Sequence, residues 1–406
     1  LLLQYVTIEN CVLLSKRFHG NQSGKMKKFF VLLLFFSSYS VDLFSQQALW
    51  GGNNIVSPEI HDDNRVTFRL HAPNADEVQL SGDWIPSEGW MPGTENLELK
   101  DDGVWEFTTG VLPSDLYTYF FLVDGVRVLD PANVHVVRDV SNLFNMVLIE
   151  GGQGDYYKVR DVPHGTVSRH WYYSPGLEKN RRLTIYTPQG YEESSQHYPV
   201  FYLLHGMGGD EEAWISLGRT AQILDNLIAA GEAEPMIVVM PNGNVHQQAA
   251  PGQSAVGFYQ PTMRLPQTMD GEMEQTFPDI IRFTESTFRV KTGKESRAIA
   301  GLSMGGFHSL HISRYHENMF DYVGLFSPAI MPNENVTSPV YDDFEQSLNQ
   351  QNENGYELYW IAIGEDDFLM DAVEEYRDRL DRIQMPYEYM ETEGGHTWKN
   401  WRQYMT

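Results

Sequence analysis

The run Ala298-Ile299-Ala300-Gly301-Leu302-Ser303-Met304-Gly305-Gly306-Phe307 constrains this chain more than any other stretch. A small apolar segment leads into a serine flanked by glycines, and a run able to form a helix leaves it. A strand-to-helix turn this tight has no room for side chains on either side of its tip, and it holds the serine hydroxyl clear of the backbone. Such a turn belongs to a mostly parallel sheet with helices on both faces.

The rest of residues 155–406 agrees. Strand-like runs ("RRLTIYTP", "YPVFYLLHG", "MIVVMPNG", "SRAIAGLS", "YVGLFSP", "YELYWIAIG", "PYEYMETEG") alternate with helix candidates at 220–231, 277–288, 305–316 and 370–383. The fully apolar runs at 199–204 and 236–240 are expected to be central strands. Residues 50–150 have a different period. "RVTFRLHAP" alternates, with Val66, Phe68 and Leu70 on one face, and further short runs follow at close spacing, punctuated by Asp-Gly and Pro. That pattern predicts an all-β, immunoglobulin-like sandwich. The expected organisation is a sandwich over 48–150, a glycine-bearing linker over 151–164 and an α/β domain over 165–406.

Ahead of the sandwich, "MKKFFVLLLFFSSYSVDLFSQQ" starts at Met26 with two lysines, an apolar run and small residues. Residues 26–45 read as a signal peptide and 1–25 as translated upstream sequence; the run is too short for a permanent membrane anchor. A secreted or periplasmic bacterial protein is the expectation. The single cysteine, Cys11, precedes the signal, so the mature chain has neither disulfide nor thiolate nucleophile. A formal net charge of −26 argues against nucleic acid, whose phosphates need a surplus of Lys and Arg.

A serine nucleophile needs a base, and His396 in "EGGHTWKNW" follows the last strand-like run. The order serine, acid, histidine is that of α/β-hydrolases. His308, five residues past the serine, is expected to pack in the following helix, and His205 to be structural. The orienting carboxylate lies in "GEDDFLMD": Asp367 is preferred over Asp366 because Phe368-Leu369 would begin the next packed element, and Glu365 comes third. An oxyanion hole requires two backbone N–H donors. Met304, after the serine, supplies one. The loop His205-Gly206-Met207-Gly208-Gly209 supplies the other, from Met207 in preference to Gly206. No metal motif or phosphate-binding loop is present, and no cofactor is expected.

Together "HGMGGDEEAW", "MPNG", "AGLSMGG", "IGEDDFL" and "GGHTWKNW" resemble the α/β-hydrolase esterases of carbohydrate esterase family one, bacterial feruloyl esterases above all. The resemblance covers residues 160–406. The sandwich resembles the glycogen-binding-type module found before such esterases. It implies Ser303, Asp367 and His396 as nucleophile, acid and base, and feruloylated arabinoxylan as substrate. Acetylxylan esterases share the same blocks, and siderophore esterases are relatives; a carbohydrate-binding protein on an inactive hydrolase fold would need a triad member to be missing. Trp84, Trp90 and Trp105 could stack on sugar or fill the sandwich core. Trp214, Tyr259 and Trp398 are the expected aromatic contacts for the acyl group, with Phe258 also nearby in sequence and Phe307 assigned to the core. Oligomeric state and acyl group stay open.

Overall fold

Alternation of apolar and polar residues builds the first domain, as a computed structural model describing residues 55–86 and 93–406 shows. The expected upstream and signal segments, and Trp90, lie outside the described residues. Strand β1 (Glu59–Ile60) pairs with β2 (Val66–His71), followed by β3 (Val78–Gly82), β4 (Thr94–Asn96), β5 (Glu98–Leu99), β6 (Val104–Thr108), β7 (Leu116–Val123), β8 (Val126–Val128), β9 (Val136–Asp139) and β10 (Asn142–Leu148). They form two antiparallel sheets, ordered β1-β2-β6-β5 and β4-β3-β7-β10-β9, with β8 on β7. Between the sheets lie Val66, Phe68, Leu70, Val78, Leu80, Tyr119 and Phe121. Trp105 is buried there with its indole N–H on the Ala72 carbonyl, and Trp84 stacks on Phe68. Both are packing residues.

The segment expected as a linker contains α1 (Gly154–Tyr157), whose Tyr157 is completely buried with Leu116, Ile223 and Leu227. The second domain then runs β11 (Thr166–Ser174), β12 (Lys179–Thr187), β13 (Val200–Leu204), α2 (Ala213–Ser216), α3 (Thr220–Ala230), β14 (Ile237–Pro241), α4 (Glu272–Thr287), β15 (Arg297–Leu302), α5 (Met304–Tyr315), β16 (Tyr322–Phe326), α6 (Phe344–Asn354), β17 (Leu358–Gly364), α7 (Met370–Arg382), β18 (Glu388–Thr392) and α8 (Trp398–Gln403). The sheet order is β11-β12-β14-β13-β15-β16-β17-β18, with β14 through β18 parallel and β11 and β12 antiparallel. This is the α/β-hydrolase arrangement. Strands β13 and β15 are neighbours in register, so the loops after Leu204 and Leu302 emerge side by side.

Helix α4 starts five residues before its expected first turn. Pro278 lies inside it and has no N–H for the Glu274 carbonyl one turn back. His316 supplies that hydrogen instead, Nε2 to the Glu274 oxygen at 2.7 Å. The proline therefore costs the helix no unsatisfied acceptor there.

The described residues of the two domains form one compact unit. Arg402 of α8, completely buried, reaches from the hydrolase into the sandwich: its guanidinium donates to the carbonyls of Leu116 (2.5 Å) and Leu217 (3.2 Å) and lies 4.0 Å from Asp115. Burying a charge is tolerable only with such partners. Arg402→Met should therefore cost about 2–4 kcal/mol by leaving two buried carbonyls without their donor and the buried Asp115 carboxylate without its nearby positive charge. A urea unfolding midpoint unchanged from wild type would refute that role.

Candidate functional site

Ser303 stands between β15 and α5 with φ 55° and ψ −113°, a backbone conformation that a non-glycine residue rarely adopts. The neighbours explain why it is held. A side chain on Gly305 would meet the Leu204 carbonyl oxygen at 2.3 Å, and one on Gly301 would meet the Gly305 backbone at 2.4 Å. Ser303 N–H donates to the Phe326 carbonyl (2.8 Å), and its own carbonyl accepts from Phe307 and Ala329. The positive end of α5 begins at the next residue, Met304.

Asp367 and His396 emerge from adjacent strand ends, those of β17 and β18. His396 Nδ1 hydrogen-bonds both Asp367 carboxylate oxygens, at 2.9 and 3.1 Å. The Asp367 side chain has no exposed surface, and its Oδ1 also accepts the Leu369 N–H. With Nδ1 committed as donor, Nε2 is the ring nitrogen left to take a proton. Asp366 is exposed, and its backbone N–H goes to the Gly394 carbonyl, while Glu365 N–H goes to Thr392. These two bonds tie the acid turn to the histidine loop, so geometry selects Asp367 over Asp366 and Glu365 as the partner of His396. The imidazole is flanked by Trp401, edge-on at 4.9 Å, and Phe368, tilted at 4.6 Å.

The loop after β13 lies against the serine. A side chain on Gly206 would strike Leu302 at 2.3 Å and come within 3.4 Å of Ser303 Cβ. His205 is buried under this loop. Its Nε2 accepts the Gly243 N–H (2.8 Å), so the ring proton is on Nδ1, which donates to the Gly206 carbonyl (2.7 Å). Gly209 N–H donates to the same carbonyl. The Gly206–Met207 peptide plane is thus fixed, with the Met207 N–H directed opposite to His205. Burial pushes the His205 pKa down to about 4. His308 makes a separate, fully buried pair with Glu274 at 2.7 Å.

Sequence reasoning missed the polar frame behind this loop. Asn244 donates to the Gly209 carbonyl, Asn242 to Glu211, and Arg182 to Glu211 at 2.7 Å, all of them buried. The "MPNG" block was the available signal. Among the described residues, no three His, Cys, Asp or Glu side chains converge as a metal site would need.

The aromatic expectations need correction. Trp214 is 1% exposed, its indole N–H on the Leu204 carbonyl and its ring against Phe326 and Trp398, so it is core. Trp398 is wedged between Trp214 and Trp401. It also lies close to Asp139 of the sandwich, opposing the upward push that burial gives that carboxyl. Tyr259 is half-buried with its hydroxyl on the Ala249 carbonyl, whereas Phe258 is almost fully exposed and Phe307 fully buried. Phe368, expected to begin a packed element, is 53% exposed beside His396.

The family model described as "Putative esterase" matches residues 174–406, more than half the chain. The chain belongs to this esterase family. A second model, carbohydrate-binding module 48 (isoamylase N-terminal domain), matches residues 55–135. An "Endo-1,4-beta-xylanase/feruloyl esterase" of Xylanibacter ruminicola is 30% identical over 288 residues, covering 70% of this chain, which spans only 37% of that protein. An "Acetyl esterase" of Caldicellulosiruptor saccharolyticus is 25% identical over 276 residues, covering 58% of this chain and 93% of the relative. The solved enterobactin esterase of Shigella flexneri shares the fold at 14% identity, with a TM-score of 0.60 over 83% of this chain and 90% of that one.

The neutral His205 predicts an acid-dependent stability. Its folded pKa, about 4, lies below the unfolded value of about 6.5, so unfolding takes up a proton between those limits. The stabilisation is complete above about pH 6.5 and is lost as pH falls through about 4, up to about 3 kcal/mol. His205→Asn should be less stable than wild type at pH 7, and the gap in urea midpoint should narrow on acidification to pH 4. A gap independent of pH would contradict the assignment.

Proposed function

We propose that this esterase-family chain is an exported serine esterase that cleaves feruloyl esters of arabinoxylan. The observation carrying the reading is the strained Ser303 elbow after β15, with the Asp367–His396 pair after β17 and β18, on the same side of the sheet beyond β16. In this mechanism Ser303 Oγ attacks the ester carbonyl carbon while its proton passes to His396 Nε2. The carbonyl oxygen becomes an anion held by the N–H groups of Met304 and Met207, next to the positive end of α5. Collapse expels the sugar alcohol, which takes the proton from His396. Water, deprotonated by the same nitrogen, then releases ferulate from Ser303. Asp367 keeps the imidazole in the required tautomer and stabilises its charged form.

The feruloyl assignment draws support from the Xylanibacter relative's name and from Phe368, an exposed aromatic surface beside His396. The secreted location rests on the Met26–Ser45 segment alone. An acetyl ester is the second reading: Trp214 and Trp398 are engaged in packing, and one relative is named an acetyl esterase.

Ser303→Ala should fold and lose turnover on the order of 10⁴-fold or more, together with fluorophosphonate labelling. Asp367→Asn should fall far below Asp366→Asn in kcat, since an amide permits the wrong imidazole tautomer. Methyl ferulate should be cleaved with a higher kcat/KM than an alkyl acetate. Phe368→Ala should cost about tenfold on ferulate and little on acetate. Preference for acetate, with Phe368→Ala affecting both alike, would replace the feruloyl reading by the acetyl one.

A further inference from the structure

The tip of the sandwich hairpin β9–β10 touches the hydrolase at the loop that follows β13. Asp139 pairs with Asn142, so Val140-Ser141 are the two turn residues. Val140 has φ +51°. A positive φ at the first turn residue is the place for glycine in a two-residue hairpin, and a β-branched side chain there is strained. Such strain persists where the surroundings hold it, and it gathers at functional sites. Here the valine side chain covers Gly208: a Cβ on that glycine would lie 2.7 Å from Val140 Cγ2 and 3.0 Å from the Met263 sulfur. Gly208 itself has φ +77°.

A charge pair reinforces the contact. Arg138 Nη2 donates to Asp210 Oδ2 at 2.5 Å, and Arg138 Nη1 to the Val140 carbonyl at 2.8 Å. Asp210 is only 3% exposed and closes the Gly206–Asp210 loop, its Oδ1 accepting the Glu212 N–H. One guanidinium therefore ties the turn of the sandwich to the far end of the loop whose near end lies against Ser303. On the other side of the hairpin, Asp139 meets Trp398, two residues past His396. A cleft of about 660 Å³ runs beside these contacts, lined among others by Arg138, Val140, Gly209 and Asp210.

We propose that Arg138 and Val140 are positioning residues for ester cleavage: the sandwich holds the Gly206–Asp210 loop in the shape that receives the anionic oxygen, for small soluble esters as well as polymers. This rests on the proposed serine-esterase reading. A sandwich that only captured polysaccharide would alter KM on polymer and leave methyl ferulate untouched. A sandwich that shapes the loop alters kcat on methyl ferulate, because the oxygen is held most strongly in the transition state.

The test compares full-length wild type, Val140→Gly, Arg138→Ala, Arg138→Lys and, as a control remote from the loop, Arg65→Ala. Readouts are kcat and KM on methyl ferulate, the rate of fluorophosphonate labelling, and Tm. Losing an entire oxyanion donor costs about 10²–10³-fold, so a loosened loop should cost roughly tenfold or more. Val140→Gly and Arg138→Ala should lose that in kcat and in labelling rate, with KM within about threefold. Arg138→Lys should recover part of the loss, keeping the charge on Asp210 without the second bond to Val140. Arg65→Ala should match wild type. Glycine suits a positive φ, so Val140→Gly should keep or raise Tm and carries the test even if Arg138→Ala fails to fold. Wild-type kcat in folded Val140→Gly and Arg138→Ala, or a change in KM alone, would overturn the proposal. Absence of hydrolysis and of Ser303 labelling in the wild type would instead overturn the esterase reading and the proposal with it.

Discussion

The site depends on one close approach. The first turn of α5 passes so near the end of β13 that a single added carbon on Gly305 would lie 2.3 Å from the Leu204 carbonyl oxygen. That proximity sets Ser303 beside Gly206, since both leave neighbouring parallel strands at the same level. Ser303 takes its positive φ within this crowded turn, a strain that the surrounding packing holds. The conformation of Ser303 thus rests on backbone packing together with the hydrogen bonds of its own N–H and carbonyl.

The surrounding frame is polar and largely buried. His205, Asn242, Asn244, Glu211 and Arg182 replace water as partners for the loop backbone and for one another. In a medium of low dielectric such a network is rigid when every member is satisfied. His205 serves because it is neutral: one nitrogen accepts and the other donates, so it joins two loops without burying a charge. The acid side uses another device, a short backbone zipper between the Glu365–Asp366 turn and the Thr392–Gly394 loop.

Much of this could be read from residues alone, where a residue type has one physical reason to be present. Glycines around Ser303 admit little besides a tight turn, and alternating β and α periods admit few sheets. The choice between Asp366 and Asp367 turned on which carboxylate is buried, and that is set by the zipper to a loop 26 or more residues away, out of reach of local pattern. Trp214 follows the polar, glycine-bearing run Gly208–Glu212, which suggests an exposed loop, yet its indole finds a carbonyl inside the core. Phe368 was misjudged in the opposite sense. Helix α6, with few apolar residues along its length, and the edge strand β11, whose register is set by its hairpin with β12, lie outside the expected elements. The helix expected at 277–288 begins at Glu272 instead, and His316 gives the Glu274 carbonyl the hydrogen that Pro278 lacks.

Arg402 and His396 lie six residues apart in the same C-terminal segment, one binding the two domains and the other belonging to the site. The order in which a ribosome makes the chain then matters. The sandwich and most of the sheet emerge first, with the Leu116 and Leu217 carbonyls still lacking their buried donor. Only when the segment around α8 arrives do the seam and the Asp367–His396 pair close, and they close together. Until residues 396–402 have emerged, the growing chain carries Ser303 without the imidazole that pairs with Asp367, and the seam without its arginine.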